Sequence, residues 1–384
     1  MVPIAVLSLV VWVYLVGFRG GFWRTDQQLG SDVLLPELLP TVAIVIPARD
    51  EADMLPLTLP PLLGQTYAGK VGIYLIDDGS LDGTGEVARA IAISSKTPLQ
   101  ILQGKPLPPG WTGKLWALDQ GINAATIDLN PDYFLLTDAD ICHSPESLAM
   151  LVSKAETGCD LVSLMVRLRC DSAWEKLLIP AFVFFFAKLY PFKWVNTVKN
   201  NTAAAAGGCS LIRRSALEEM GGIQALQNAL IDDCTLAAKI KRRHKPRNAN
   251  IWLGLSDRTH SLRPYDDLQT IWDMVARTAY SQLYYSPFLL IGTIFGMGLV
   301  YFAGPIALVG GLITQNWQLA AIGGLTYGLM SWAYGAIVRF YQLPWIYAMA
   351  LPPIALLYSL MTWDSAIRHW RGRGGGWKGR TYKA

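Results

Sequence analysis

The sequence predicts an α/β domain with a mainly parallel sheet, set between apolar segments at the two ends of the chain. Two observations place the domain: from residue 41 short apolar runs alternate with helical patterns, as in a sheet covered by helices, and acidic residues close three of these units in turn. The clusters are Asp77-Asp78, Asp138-Ala139-Asp140 and Asp232-Asp233, and carboxyl ends of strands are where an open α/β sheet puts its ligands. The third observation concerns the ends. Residues 1–18 and 280–338 contain no Asp, Glu, Lys or Arg.

The elements follow in order. Residues 42–46 form a strand that stops at Pro47, and 53–63 a helix made irregular by Pro56, Pro60 and Pro61. Strand 71–76 leads to helix 83–93, opened by Asp82; strand 99–102 leads to helix 114–124. Strand 133–136 precedes helix 145–156 with Ser144 as N-cap, and 161–166 is a further strand. Asp232-Asp233 opens a helix running from residue 235 to 242. Residues 41–265 are thus expected to be the catalytic domain.

At 52% hydrophobic and 16% charged residues, the chain is more apolar than soluble domains, where about a quarter are charged. The surplus lies in the terminal stretches, and a bilayer core needs about 20 apolar residues per helix. Residues 1–18 read as a transmembrane anchor, because no basic residue precedes the apolar core and no small-residue cleavage site follows it. Residues 286–363 read as C-terminal membrane segments: two helices up to 338, then a stretch broken by Pro344, Pro352 and Pro353 that suits a re-entrant segment. Arg19 and Arg24 follow the first segment, and Arg368, Arg371, Arg373, Lys378, Arg380 and Lys383 crowd the tail 364–384. Such basic flanks mark the cytoplasmic side. The expectation is a multi-pass inner-membrane protein whose catalytic domain and tail are cytoplasmic, with the bilayer rather than nucleic acid as partner. Residues 177–192, with Phe182, Phe184, Phe185 and Phe186 before Lys188, read as an in-plane helix rather than a core helix; 266–285 reads as a second interfacial helix. Five cysteines without a CxxC pair indicate neither a zinc site nor a disulfide framework.

Each motif has two readings. Asp77, Asp78 and Asp82 can accept from a ribose hydroxyl or base, or merely form a turn. Asp138 and Asp140, at alternate positions past a strand, can share one hard cation that keeps sites open for diphosphate oxygens. His143 is a further ligand or a hydrogen-bonded loop histidine. Asp232 and Asp233 complement a helix dipole or supply a general base. Gly207 and Gly208 let backbone approach a ligand closely.

Together these features resemble the family-2 glycosyltransferases. Pro47-Ala48-Arg49-Asp50-Glu51, Asp77-Asp78-Gly79-Ser80, Gly113-Lys114, Thr137-Asp138-Ala139-Asp140, Gly207-Gly208-Cys209 and Asp232-Asp233 fall in that family's order across residues 41–243. The resemblance implies a GT-A fold (Rossmann-like, nucleotide-sugar-binding), Mg²⁺ or Mn²⁺, and inversion at the anomeric carbon. It assigns the metal to Asp138 and Asp140, and the donor, expected to be a UDP-sugar, to Pro47, Ala48, Arg49, Asp50, Glu51, Asp77, Asp78, Lys114, Asp138, Gly207 and Gly208. Asp233 matches the base, with Asp232 beside it where the family usually has Glu. Arg277 and Arg380 are candidate diphosphate clamps, with structural or lipid-headgroup pairing as the other reading of each alone. The tail 377–382 is similar to the ending of several membrane-bound, lipid-modifying members, and residues 163–168, 179–186 and 261–265 are similar to the hopene-associated members, which implies a membrane-lipid hydroxyl, such as a hopanoid's, as acceptor. The Gln-x-x-Arg-Trp of processive synthases is missing at Gln269-Thr270-Ile271-Trp272, so single-sugar transfer is expected. A polyprenyl-phosphate sugar transferase would share every motif. A nucleotidyltransferase lacks support without a Gly-rich phosphate loop, and a non-enzymatic scaffold has no use for carboxylates at three strand ends.

Overall fold

The computed structural model describes the chain apart from residues 94, 228, 230, 243–249, 374–375, 378–379 and 382–384, and describes 376–377 and 380–381 by backbone alone. Strands β1 (Val42–Ala48), β2 (Val71–Asp77), β3 (Leu99–Gln103), β4 (Tyr133–Thr137), β5 (Ile141–His143), β6 (Leu161–Leu168), β7 (Cys209–Arg213) and β8 (Ile251–Ser261) form one sheet. Its order is β3-β2-β1-β4-β7-β6-β8-β5. The sheet is mixed rather than mainly parallel: β1 to β4 run parallel to one another, while β7 opposes both β4 and β6 and β5 opposes β8. Val45 pairs with Tyr74 on one side and Leu136 on the other, so β1 is central and wholly buried. A strand covered on both faces reads as a continuous apolar run, which is why its sequence shows no alternation.

Fourteen helices are defined among the described residues: α1 (Val2–Phe18), α2 (Leu55–Leu63), α3 (Thr84–Ala92), α4 (Gly113–Leu129), α5 (Ser147–Glu156), α6 (Ala173–Leu189), α7 (Phe192–Val195), α8 (Arg214–Glu219), α9 (Asp232–Arg242), α10 (Leu268–Ala276), α11 (Pro287–Ile313), α12 (Trp317–Phe340), α13 (Ile346–Met349) and α14 (Leu351–Trp370). Side chains alternate across a strand: Ala43 and Val45 join the core that holds α4, and Val42, Ile44 and Ile46 the core that holds α2 and α5. α4 is capped by Thr112, whose hydroxyl accepts from the Leu115 amide at 3.3 Å. It runs five residues past the expected end at 124, to the left-handed Asn130, a residue type that tolerates this C-terminal conformation. α5 begins later than expected, after a turn in which the Ser147 amide donates to the Ser144 carbonyl at 3.0 Å; Ser144 bonds Ser147 and does not cap the helix.

The terminal helices form a second layer. α1 lies on α11, with Ser8 and Trp12 donating to the Leu299 and Val300 carbonyls at 2.9 and 2.7 Å. Among the described residues α11 is the one helix long and apolar enough to cross a membrane, and α1 is a shorter apolar helix. The chain then breaks at 341–350 around Pro344, whereas Pro352 and Pro353 do not break it further but stand in the first turn of α14, where a helix tolerates proline. Tyr327 of α12 donates to the Met349 carbonyl at 2.7 Å, and α14 returns until Ala366 packs beside Tyr280 and Leu290 and Arg368 pairs with Asp273 of α10 at 2.6 Å. A short ribbon, β9 (Gly376–Trp377) with β10 (Arg380–Thr381), follows. α6 departs from the in-plane expectation. Phe184 is buried and meets Tyr334 of α12 and Phe22 edge-on or tilted, while Phe185 packs on Tyr301 of α11 and Tyr358 of α14. Phe184 and Phe185 therefore join α6 to the terminal layer, and Phe186 packs on Tyr190 and Phe192.

Candidate active site

Strand order reverses between β1 and β4, and the crevice outside their carboxyl ends is the switch point of the sheet. β7 runs the other way, so its first residue, Cys209, pairs with Thr137 at the end of β4. That antiparallel step brings Gly207 and Gly208 to the same edge. The result is a cleft lined by Pro47, Lys114, Thr137, Asp138, Gly207, Asp232 and Asp233 over a floor that includes Leu118 and Leu236.

Lys114 organises the cleft. From the first turn of α4 its ammonium reaches Asp138 Oδ1 at 2.6 Å and donates to the Gly207 carbonyl at 3.2 Å. Burial alone would lower its pKa, but Asp138 and then Asp232 hold it above the ordinary lysine value. Asp138 is raised by burial, against the pull of Lys114 and with Asp140 adding to the rise. Asp233 is pushed up to about 6 by burial and by Asp232, while the amides of Cys234 and Gly207 and the Lys114 charge restrain it. A carboxyl in that range can take a proton near neutral pH. A side chain on Gly207 would start 3.3 Å from Lys114 Nζ and 3.4 Å from Asp233 Oδ2, so glycine keeps this approach open.

The first acidic cluster is woven into two loops. Asp77 Oδ1 accepts from the Ser80 amide at 2.8 Å, Asp50 Oδ1 from the Leu81 amide at 2.8 Å, and Arg49 donates to the Asp78 carbonyl at 2.6 Å. Asp50 is left-handed (φ 50°). Asp82 accepts from the Thr84 hydroxyl and from the Ala52 and Thr84 amides, and those bonds, the hydroxyl's first, outweigh burial and lower its pKa. Pro47 lines the cleft, and Ala48 at the end of β1 accepts the Asp78 amide at 2.8 Å. The sequence motifs do not reveal Arg263. It bridges the clusters, bonding Glu51 Oε1 at 2.7 Å and Asp140 Oδ2 at 3.1 Å; only its place in the 261–265 segment marked it.

Asp138 and Asp140 therefore face different ways, Asp138 into the cleft and Asp140 toward Arg263 and Ser261. Among the described residues no three His, Cys, Asp or Glu side chains converge as a closed metal cage. A small divalent cation on a diphosphate needs only one or two carboxylates, the rest being phosphate and water. Asp138, Asp232 and Asp233 share the single ammonium of Lys114, so the donor set fits a cation held at Asp138. Both Asp140 bonds fall on Oδ2. His143 is buried, bonded to Thr137 at 2.9 Å and pushed down to about 4 by burial; it is hydrogen-bonded within the fold, but at the end of β5 rather than in a loop. Arg277 is exposed at the end of α10, with its charge felt at Tyr265. Arg380 lies in β10, and its side chain is outside the described residues.

This sheet, with its acidic switch-point crevice, defines a GT-A type domain. The chain carries a glycosyl transferase family 2 domain, whose family model matches residues 43–221. It is similar to an undecaprenyl-phosphate 4-deoxy-4-formamido-L-arabinose transferase of Pseudomonas savastanoi pv. phaseolicola, 29% identical over 190 residues that cover 47% of this chain and 49% of the relative. It is also similar to the polyprenol monophosphomannose synthase of Mycolicibacterium smegmatis, 27% identical over 140 residues that cover 35% of this chain and 49% of the relative. The chain thus spans about half the length of these relatives. Among solved structures, a mannosyltransferase of Pyrobaculum calidifontis in complex with GDP-Man and Mn²⁺ shares the fold, with a TM-score of 0.54 and 16% identity over 95% of this chain and 98% of that one.

Proposed function

We propose that this protein is a membrane-bound, inverting glycosyltransferase that moves one sugar from a nucleotide-sugar donor to a polyprenyl phosphate. The observation that carries the reading is the Asp138–Lys114–Asp233 cleft in a domain whose curated relatives are named for undecaprenyl phosphate and polyprenol. Asp138 would hold Mg²⁺ or Mn²⁺, with Asp140 behind it, and the cation would neutralise charge on the departing diphosphate. Lys114 stabilises the same developing charge from the other side. The loops of Arg49, Asp50, Glu51, Asp77 and Asp78 grip the nucleoside, a UDP-sugar being the working choice, and Gly207 and Gly208 clear its path. Arg277 borders the diphosphate, and Arg380 is kept as a second clamp.

The membrane reading rests on the outward residues of the terminal layer, where Ile4, Val10, Phe288, Phe295, Val309 and Ile313 are all exposed. Many large apolar side chains left exposed on the terminal helices suit a lipid environment. In this reading α11 crosses the membrane with α1 and α12 packed against it, 343–350 turns the chain back into α14, and the domain 41–265 shares the cytoplasmic side with the interfacial 266–285 and the tail 364–384.

A second reading has its own support. An acceptor hydroxyl, such as a hopanoid's, needs a base, and Asp233 at about 6 is suited to that task. A phosphate is already ionised and needs none. The Asp233→Asn variant assayed on undecaprenyl phosphate and on a hydroxylated triterpenoid decides between them. Transfer to the phosphate that persists within about tenfold supports the first reading; loss by about 10²–10⁴-fold on the triterpenoid supports the second. Wild-type protein that transfers to neither lipid ends both.

A further inference from the structure

The strip that carries Gly207 into the cleft has no means of holding its own shape. Residues 203–208 are four alanines followed by two glycines, and they lie outside helix and strand. No side chain in the strip can donate or accept a hydrogen bond, and glycine gives up the most backbone freedom on ordering. Whatever fixes this strip has to come from beneath it.

Two serines supply that hold. Ser163 of β6 and Ser210 of β7 face each other across the antiparallel pair, and both are buried. Ser163 Oγ accepts from the Ala206 amide at 2.8 Å and from the Ser210 hydroxyl at 3.1 Å. Its own proton is shared between the Ala206 carbonyl at 3.1 Å and the Cys209 carbonyl at 3.4 Å. Two acceptances and one donation are the full capacity of a hydroxyl, and Ser163 spends them gripping both backbone groups of Ala206. Ser210 Oγ also stands 3.3 Å from the Ala206 carbonyl and borders the cleft. A serine pair that only joined β6 to β7 would need no bond to Ala206.

The next two carbonyls are tied as well. Gly207 accepts from Lys114 at 3.2 Å, and the same ammonium lies 2.6 Å from Asp138. Gly208 accepts from the Thr137 hydroxyl at 3.1 Å and from the Asp138 amide at 3.2 Å. The outer two carbonyls are thus anchored to the strands and their ends, and the middle one meets the ammonium in the cleft.

We propose that Ser163 and Ser210 are positioning residues for sugar transfer. They set the Ala206–Gly207 peptide, which aims the Gly207 carbonyl at Lys114 and keeps the ammonium where the donor diphosphate meets it. The inference rests on the proposed donor site and on the part Lys114 plays in it.

Calorimetry on the full chain in detergent, with UDP or GDP and Mn²⁺, tests this through a double-mutant cycle. Ser163→Ala and Ser210→Ala should each weaken nucleotide binding roughly fivefold, the weight of one hydrogen bond. In the Lys114→Met background the same changes should weaken it by less than about twofold, because their effect passes through the ammonium. Ser210→Thr keeps the hydroxyl beside the open cleft and should bind as wild type does. Equal losses in the two backgrounds overturn the inference, as does a fall in Tm with nucleotide affinity unchanged; either marks a purely structural pair. Binding by Ser210→Thr as weak as by Ser210→Ala also overturns it, and the Ser210 variants carry the test alone if Ser163→Ala does not fold. Wild-type protein that binds neither nucleotide removes the donor reading, and Lys114→Met that binds as wild type removes Lys114 from it; the inference falls with either.

Discussion

Asp233 shows how one residue can be costly to the fold and useful to the site. Its pKa stands at about 6, above the ordinary aspartate value, so the folded chain holds that proton more tightly than the unfolded chain does. The associated stability is full below pH about 4 and is lost as pH rises through 6. Asp233→Asn should therefore raise Tm at pH 7.5 and leave it unchanged near pH 3.5, which thermal melts at the two pH values will show. Where the acceptor is a hydroxyl, kcat should fall on the acid side with a midpoint near 6, because only the ionised carboxylate accepts a proton. Asp138 and Asp140 should separate on mutation. Asp138→Ala should abolish the Mn²⁺ dependence of nucleotide binding, read by titration calorimetry, with little change in Tm. Asp140→Ala removes a buried partner of Arg263 and Ser261, so it should also cost stability, about 1–3 kcal/mol. An Asp140→Ala variant as stable as wild type would show that the Arg263 bridge contributes nothing to the fold.

At the scale of elements, α9 carries Asp233 and has to be held against the segment that carries Gly207. Lys241 does this. Its ammonium donates to the carbonyls of Trp194, Val195 and Thr202 at 3.3, 2.6 and 2.7 Å, tying the far end of α9 to the end of α7 and the approach to Gly207. Lys241→Met should leave those carbonyls without their donor, lowering stability by about 1–3 kcal/mol and kcat more than donor KM; urea melts and steady-state rates measure both. α6 plays the matching part for the terminal layer. Phe184→Ala should cost about 3–5 kcal/mol, because the ring is packed among Phe22, Phe185 and Tyr334, whereas an outward phenylalanine would cost almost nothing.

For the whole molecule, the burial of α6 changes what a truncated chain can do. Residues 41–265 taken alone would expose the α6 face that α12 and α14 cover, and would lose residues 19–40, where Gln27 accepts the Leu255 amide at 2.8 Å. A large exposed apolar face promotes association. This fragment should aggregate without detergent and bind nucleotide less well than the full chain; a monodisperse fragment with full nucleotide affinity in size-exclusion chromatography and calorimetry would contradict that expectation.

The sequence alone determined the parallel half of the sheet, the three acidic clusters and the two uncharged ends. Each is a local signal: apolar runs of strand length, carboxylates placed where those runs stop, and stretches without charge. The break near Pro344 was legible too, but not that Pro352 and Pro353 would open the continuous helix α14 rather than interrupt it. Only the tertiary structure decided the rest. β7 carries no signal of its direction, yet its antiparallel course delivers Gly207 and Gly208 to Asp138. Arg263 joins Glu51 and Asp140 across more than a hundred residues of chain, and the Phe184 face meets partners near both termini. An Asp-x-Asp spacing fixes two Cα positions but not which way each carboxylate turns. That direction is chosen by charges that come from elsewhere in the fold, Lys114 for Asp138 and Arg263 for Asp140.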